Sequence, residues 1–423
     1  MAKTYKFGNG TWATKKNSTL AYSDTNNAFK PLPFSFERNS IATRVNKEGL
    51  IEVVSNDVPR IDYTDSADGA LLLEPQRTNL IPYSEDFSDA SWTKFNSTAI
   101  ANSIISPDGS LSATKLTEDT SSATHRIYDT IVVSFAGVVC TQSIFAKSDG
   151  SGRYLRMFRG SGTYNYAVFD LDNGVVFSQG GSNLISTKIE KYPNGWYKCS
   201  STFTTQFGNI ATYYGMQNGN LDSYTGDGTS GIYIWGAQLE EGSYATSYIP
   251  TNGSIVQRQA DTASGSGNSE VFNDSEGVLF ADIAALADDS TNRYISISDG
   301  TSVNRIHIFF TPSNTIRGLI RPGNGNIDSD VNILLFNKAA YKYKSGDSAF
   351  WVNGFKVGVN TDTTMPSGLD QLNFNKGDGT LDFYGKTKEI GYYDEILTDL
   401  ELEYLTSYRS LNELVTELNL NTL

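Results

Sequence analysis

The chain has 423 residues and a formal net charge of −14; 39% of it is hydrophobic and 12% aromatic. That length exceeds one ordinary core and implies two or three domains, and the aromatic content excludes a disordered chain. No basic excess exists to follow a phosphate backbone, and no run approaches the roughly 20 apolar residues of a membrane helix, so nucleic-acid binding and membrane insertion are not expected.

The 38 glycines, with frequent Asn, Ser and Thr, suit many short strands joined by turns. Residues 1–75 read as an extended arm. Tyr5, Phe7 and Trp12 flank Gly8-Asn-Gly10, a strand–turn–strand pattern. Lys30-Pro-Leu-Pro33 is extended, and Ile51-Glu-Val-Val is a short strand. No block holds enough apolar residues for its own core. Such an arm packs on other copies or on a larger particle; the alternative is a small β-domain resting on the next one. Met1-Ala-Lys-Thr-Tyr-Lys has no apolar leader, so synthesis in a cytoplasm and exit by another route, such as lysis, is expected. Pro59, Pro75 and Pro82 keep the junction from Pro59 to Trp92 extended, and Leu71, Leu72 and Leu73 form one buried strand.

Residues 76–258 read as one β-sandwich. Thr141–Lys147 and Tyr154–Arg159 alternate, and Tyr164–Leu171 is apolar on both faces, as a central strand is. Asp172-Asn-Gly174 supplies a turn. In Gly195–Phe203, Tyr197, Cys199 and Phe203 share one face, while Trp196, Lys198 and Ser200 share the other. Gly231–Glu240 closes the sandwich. Cys140 and Cys199 read as two buried thiols in neighbouring strands, or as one disulfide formed after release.

Residues 259–270, containing Asp261-Thr-Ala-Ser-Gly-Ser-Gly-Asn-Ser269, read as a flexible linker. Residues 271–405 form a second sandwich. Ile306, Ile308 and Phe310 face one way, and Asn353-Gly354 fits a type I′ hairpin between two apolar strands. Residues 406–423 are assigned to a C-terminal helix. Just before it, Thr398 and Glu401 make a capping box. Leu397, Leu400, Tyr404, Leu411, Leu414 and Leu418 fall on a/d spacing, which fits either an amphipathic helix on the sandwich or a short self-associating one.

The Pro59–Trp92 string, with Arg77-Thr-Asn-Leu and Tyr83-Ser-Glu-Asp-Phe, resembles a segment of phage virion proteins that carry a jelly-roll adhesion domain. Asn194-Gly-Trp-Tyr-Lys, Ile232-Tyr-Ile-Trp-Gly-Ala-Gln-Leu-Glu and Ala245-Thr-Ser-Tyr-Ile-Pro-Thr251 resemble the C-terminal half of carbohydrate-binding-module-like jelly rolls in phage fibres and adhesins. Residues 271–405 resemble concanavalin A-like and laminin G-like sandwiches. The resemblance implies a mainly β fold: an extended N-terminal arm, two antiparallel β-sandwiches (jelly roll, then concanavalin A-like) and a short C-terminal helix. It implies a non-enzymatic head or tail fibre, made in the host bacterial cytoplasm and displayed on the virion surface. Its partners would be other virion proteins through the arm, itself as a homotrimer, and surface glycans. The alternatives are a structural spacer and a polysaccharide depolymerase.

Catalytic constellations are scarce. The two histidines, His125 and His307, stand away from any Gly-x-Ser-x-Gly elbow. His307 would face solvent or a neighbouring sheet, and His125 a strand edge. No Glu-x-Asp-x-x-Glu string occurs; Asp382, Glu389, Glu240 and Glu241 read as solvated acids. No cofactor is expected. A structural calcium stays open through Asp378, Asp382, Asp328, Asp330, Asp288 and Asp289, each of which also serves as a turn former. Sugar binding needs flat rings and amide or charged neighbours. Tyr213, Tyr214, Gln217, Asn218 and Tyr224 surround a Gly/Asn-rich loop, and Tyr154, Arg156 and Arg159 are placed on the same sheet. Tyr213 and Tyr214 are adjacent, so at most one points outward from a strand.

Overall fold

The computed structural model describes residues 4–8, 12–23, 28–132, 137–159, 165–205, 209–408 and 410. The expected class holds: among the described residues nearly every regular element is an antiparallel strand, with one short α-helix near the C-terminus. The chain divides into two compact units. One comprises Met1–Ile41, Val54–Pro75 and Gln259–Leu423; the other, inserted into it, comprises Ala42–Val53 and Gln76–Arg258.

The inserted unit is a sandwich of two six-stranded sheets. The first runs, edge to edge, Thr93–Phe95, His125–Val132, Asn209–Asn218, Arg153–Arg159, Asn165–Asp170, Val175–Gly180. The second runs Ser97–Ile104, Ala113–Glu118, Gly231–Glu241, Val139–Ser148, Tyr197–Thr204, Leu184–Lys191. Alternate residues of both sheets meet in a core that includes Trp92, Ile127, Met157, Phe169, Cys199 and Phe203. The second sheet also buries its other face. There Phe145, Trp196, Trp235 and Tyr248 pack with Val45 and Ile51 of a hairpin from residues 42–54. Trp196 is therefore core, its Nε1 donating to the Ile105 carbonyl. Both cysteines are buried free thiols. Register pairs Cys140 with Phe203 and Cys199 with Ile144, four residues apart along the strands, too far for a disulfide.

The other unit stacks a twelve-stranded sheet on a five-stranded one. Here the structure departs from the expected arm. Thr4–Gly8 and Ala70–Leu73 both pair with Gly385–Tyr393, the strand that also pairs with Glu276–Ala285. Phe7, Phe34, Phe36, Leu71 and Leu73 enter the same core as Ile306, Ile308 and Phe310. The apolar residues of 1–75 are too sparse for a core of their own because they complete another one.

Residues 259–270 are likewise no flexible tether. Thr262–Ser264 pairs with Ala28–Glu37. The Asp261 carboxylate is fully buried, accepting from Arg38 Nη1 at 3.1 Å, from Arg60 Nη2 and from the Glu74 amide at 2.8 Å. Arg60 also donates to Glu74 at 2.8 Å. Burial opposes the Arg60 charge, but Asp261 and Glu74 outweigh it and raise the guanidinium above its usual range.

The Asn353-Gly354 turn joins Ser348–Val352 to Phe355–Asn360 with φ of 51° and 85°, the positive pair a type I′ turn needs. The described helix is Asp399–Thr406, capped by Thr398 and Glu401. It lies before the expected 406–423, of which residues 409 and 411–423 are outside the described set. It packs through Leu402 and Leu405, whereas Leu400 and Tyr404 of the a/d pattern are exposed.

Candidate binding face

The first sheet of the inserted unit leaves one face unburied by the sandwich. Its central strand, Asn209–Asn218, alternates Thr212, Tyr214 and Met216 inward with Tyr213, Gly215 and Gln217 outward. Register then fixes what surrounds them. Tyr213 lies between Tyr128 and Phe158, Gly215 between Arg126 and Arg156, and Gln217 beside Tyr154.

The rings of Tyr128, Tyr213 and Phe158 form one connected cluster, and those of Tyr154 and Phe177 form a second. Phe158 and Tyr213 stack at 4.6 Å with 13° between planes, and Tyr128 meets Tyr213 at 4.9 Å. Tyr154 packs on Phe177 at 4.7 Å. Guanidinium groups lie over Phe158 and Tyr213 and over neighbouring rings. Arg126 sits 4.4 Å above the Phe95 centroid, and Arg156 sits 5.1 Å from that of Tyr166. Gly215 keeps the floor between the two arginines bare. A Cβ there would crowd the His125 carbonyl at 3.2 Å and Arg126 Cβ at 3.3 Å. The two arginines stand on strands flanking the central one, so their backbones are about 10 Å apart, the span of one pyranose with its substituents.

The two charges differ in their partners. Arg156 pairs with Asp222 at 2.9 Å and donates to Gln217 Oε1 at 3.3 Å. Arg126 donates to Thr124 Oγ1 at 2.6 Å, its Nε is buried without a partner, and among the described residues no carboxylate pairs with it. An acidic group laid on this face would find a cation not already neutralised.

Four residues singled out from the sequence thus share one face: Tyr154, Arg156, Tyr213 and Gln217. Asn218 is exposed at the strand end, its amide bonded to Leu221. Two are corrected. Tyr214 is wholly buried in the core, its hydroxyl donating to the Ser143 carbonyl. Tyr224 is buried, its hydroxyl donating to Glu118, which Arg153 also holds. The Arg159 side chain lies outside the described residues. Sequence reading missed Arg126, Tyr128, Phe158 and Tyr166. The signal was partly present, since an Arg-x-Tyr alternation at 126–128 puts both on one face, but only strand pairing shows which face meets Tyr213.

The candidate chemical groups are dispersed. His125 faces the core, 1% exposed, with its ring nitrogens against the Asn96 and Tyr224 carbonyls at 2.7 and 3.2 Å. His307 is buried rather than facing solvent. Glu240 is not solvated: it is fully buried and accepts from Thr246 and Gln238. Glu85, Asp129 and Asp382 are each raised above the ordinary carboxylate range, mainly by burial. The charge adding to the shift is Asp108 for Glu85 and Asp89 for Asp129, so these acids do not act on one another. Among the described residues no three metal-ligating side chains converge. Asp378 caps its own turn through Thr380, Asp328 pairs with Arg317, and Asp289 with Arg293.

No protein-family model and no curated protein matches this sequence. Among solved structures, the chain is similar to the CBM40 of the Ruminococcus gnavus IT-sialidase, at 16% identity and a TM-score of 0.29, over 34% of this chain and 94% of that one. The same module bound to alpha2,3 sialyllactose matches at 15% identity, with the same score and coverage. Trypanosoma rangeli sialidase matches at 10% identity and a TM-score of 0.29, over 93% of this chain and 82% of that one. At these values neither ligand nor reaction transfers to this chain.

Proposed function

We propose that this chain is a glycan-binding protein without catalysis of its own, and that the sugar lies on the outward face around Tyr213. The observation that carries the reading is the register of the first sheet, which sets an aromatic platform beside Arg126 and Arg156 with a bare glycine between them. Rings accept the apolar face of a pyranose, Tyr154 supplies an orienting hydroxyl, and Arg126 favours a glycan with an acidic unit. Fixed strands hold these groups, so little ordering cost falls on binding.

The full chain on a glycan array is the test. Expected is retention of acidic glycans, reduced tenfold or more in Tyr213→Ala and in Arg126→Ala, both of which stay folded. A folded protein that retains no glycan, or variants that bind as the parent does, overturns the reading and leaves a purely structural spacer.

The finer reading is a bacteriophage head or tail fibre, homotrimeric, with several copies adding avidity to weak contacts. Its support is the sequence resemblance at Pro59–Trp92 and Asn194–Thr251. Attachment to the particle then belongs to a folded surface, because the residues read as an arm are strands of a sandwich. Electron microscopy of virions carrying a C-terminal label tests it; unlabelled particles overturn it.

A further inference from the structure

The five-stranded sheet of the other unit, Asn326–Ser329, Ile316–Arg321, Arg305–Phe310, Arg293–Ser298 and Gln371–Asn373, also has a polar outward face. In Arg305–Phe310 the inward residues are Ile306, Ile308 and Phe310, which leaves Arg305, His307 and Phe309 outward. Register sets Arg321 beside Arg305 and Tyr294 beside Phe309. Tyr294, half-buried, stacks on Phe309 at 4.1 Å with 16° between planes.

Arg305 is only 8% exposed, yet its Nε and Nη1 are buried with no hydrogen-bond partner. Among the described residues no carboxylate pairs with it. The other buried arginines of this unit are served differently: Arg38 and Arg60 by Asp261, and Arg293 by Asp289. Asp378, the acid that reaches Arg305 electrostatically, is engaged by Lys376 at 3.3 Å and by Thr380. Burial first, and Arg321 as well, lower the Arg305 guanidinium from its ordinary range. Two residues along, His307 Nε2 donates to the Lys376 carbonyl at 3.0 Å, which leaves Nδ1 a buried lone pair without a partner. A guanidinium taken from water and left unpaired is costly, and proteins resolve that cost with a counter-charge.

We propose that Arg305 and Arg321, paired across neighbouring strands, form an oxyanion site that takes one carboxylate, sulfate or phosphate group of a ligand. Guanidinium N–H groups of the two arginines donate to the oxygens of any of these groups, and their charges favour an anion there. The site lies within one unit and is independent of the face around Tyr213.

Thermal unfolding of the full chain tests it, with sodium acetate, sulfate and phosphate each compared with chloride at equal ionic strength. At about 10 mM, ten times a millimolar Kd, one of the three raises the transition by about 3–6 °C, and the rise grows with the logarithm of concentration; which one responds identifies the carrier chemistry. Arg305→Leu, relieved of an unpaired buried charge, melts higher than the parent in chloride and loses the response. Arg305→Lys, which keeps the charge without the planar guanidinium, has a weakened response. The proposal is overturned if no oxyanion exceeds chloride, if Arg305→Leu still responds, or if Arg305→Leu is destabilised or fails to fold.

Discussion

Asp261→Asn probes the segment that composition presents as a tether. Four charged groups meet there in balance: Arg38 and Arg60 contribute +2, Glu74 and Asp261 contribute −2. Asparagine has nearly the same shape but leaves +1 in a fully buried site. It also keeps only one acceptor oxygen and turns an NH2 toward the second guanidinium. Arg38 retains the carbonyls of Ser40, Ser55 and Val58, so it stays solvated by dipoles but loses its counter-charge. Losing one charge-assisted bond and weakening another, at roughly 1.5–3 kcal/mol each, gives about 4 kcal/mol, in line with breaking a buried pair. For a unit of this size, that lowers Tm by about 8–16 °C. The control is Asp328→Asn, which breaks the exposed Arg317 pair and costs under about 1 kcal/mol. Urea unfolding followed by tryptophan fluorescence, with m unchanged, provides the free energies. An Asp261→Asn protein within about 1 kcal/mol of the parent refutes the claim that this carboxylate ties Arg38 and Arg60 together.

Three further outcomes follow from the same geometry. Burial, then the Arg305 charge, holds the His307 imidazole well below its ordinary value, so the folded form stays neutral where the unfolded chain takes up a proton. Its contribution is complete above about pH 6.5 and falls as pH drops, at up to about 1.4 kcal/mol per unit; His307→Gln flattens that slope in urea titrations from pH 7 to 5, and an unchanged slope contradicts the assignment. Gly318→Ala places a Cβ 2.4 Å from Tyr341 Cδ2 and 2.6 Å from Phe350 Cδ2, and the overpacking lowers stability by about 1–3 kcal/mol in the same assay. Cys140 and Cys199 are sealed, and burial raises the Cys199 thiol well above its usual range. A thiol reagent therefore labels neither in the native protein and both in denaturant; rapid native labelling counts against the sandwich packing described.

Local patterns carried the fold class. The alternation Ile306, Ile308, Phe310 marks a strand wherever it sits, and Asn353-Gly354 needs only its own φ angles to turn a hairpin. The capping box at Thr398 and Glu401 is equally local, and it appears as read. The arm and the tether misled because their decisive partners are remote. Leu71–Leu73 finds Gly385–Thr387, and Asp261 finds Arg38 and Arg60.

The candidate face divides in the same way. Alternation alone required Tyr213 and Tyr214 to point apart, and it placed Tyr213, Gly215 and Gln217 together. It could not say which set is buried, because both faces of that strand carry a tyrosine. What this chain settles from its own residues is which segments are strands and which side chains share a side, since those follow from backbone period and turn chemistry. Which side meets a core, and which distant charges and rings become neighbours, is decided only when the sheets pair and stack, because register is a long-range choice between alternatives that look alike along the chain.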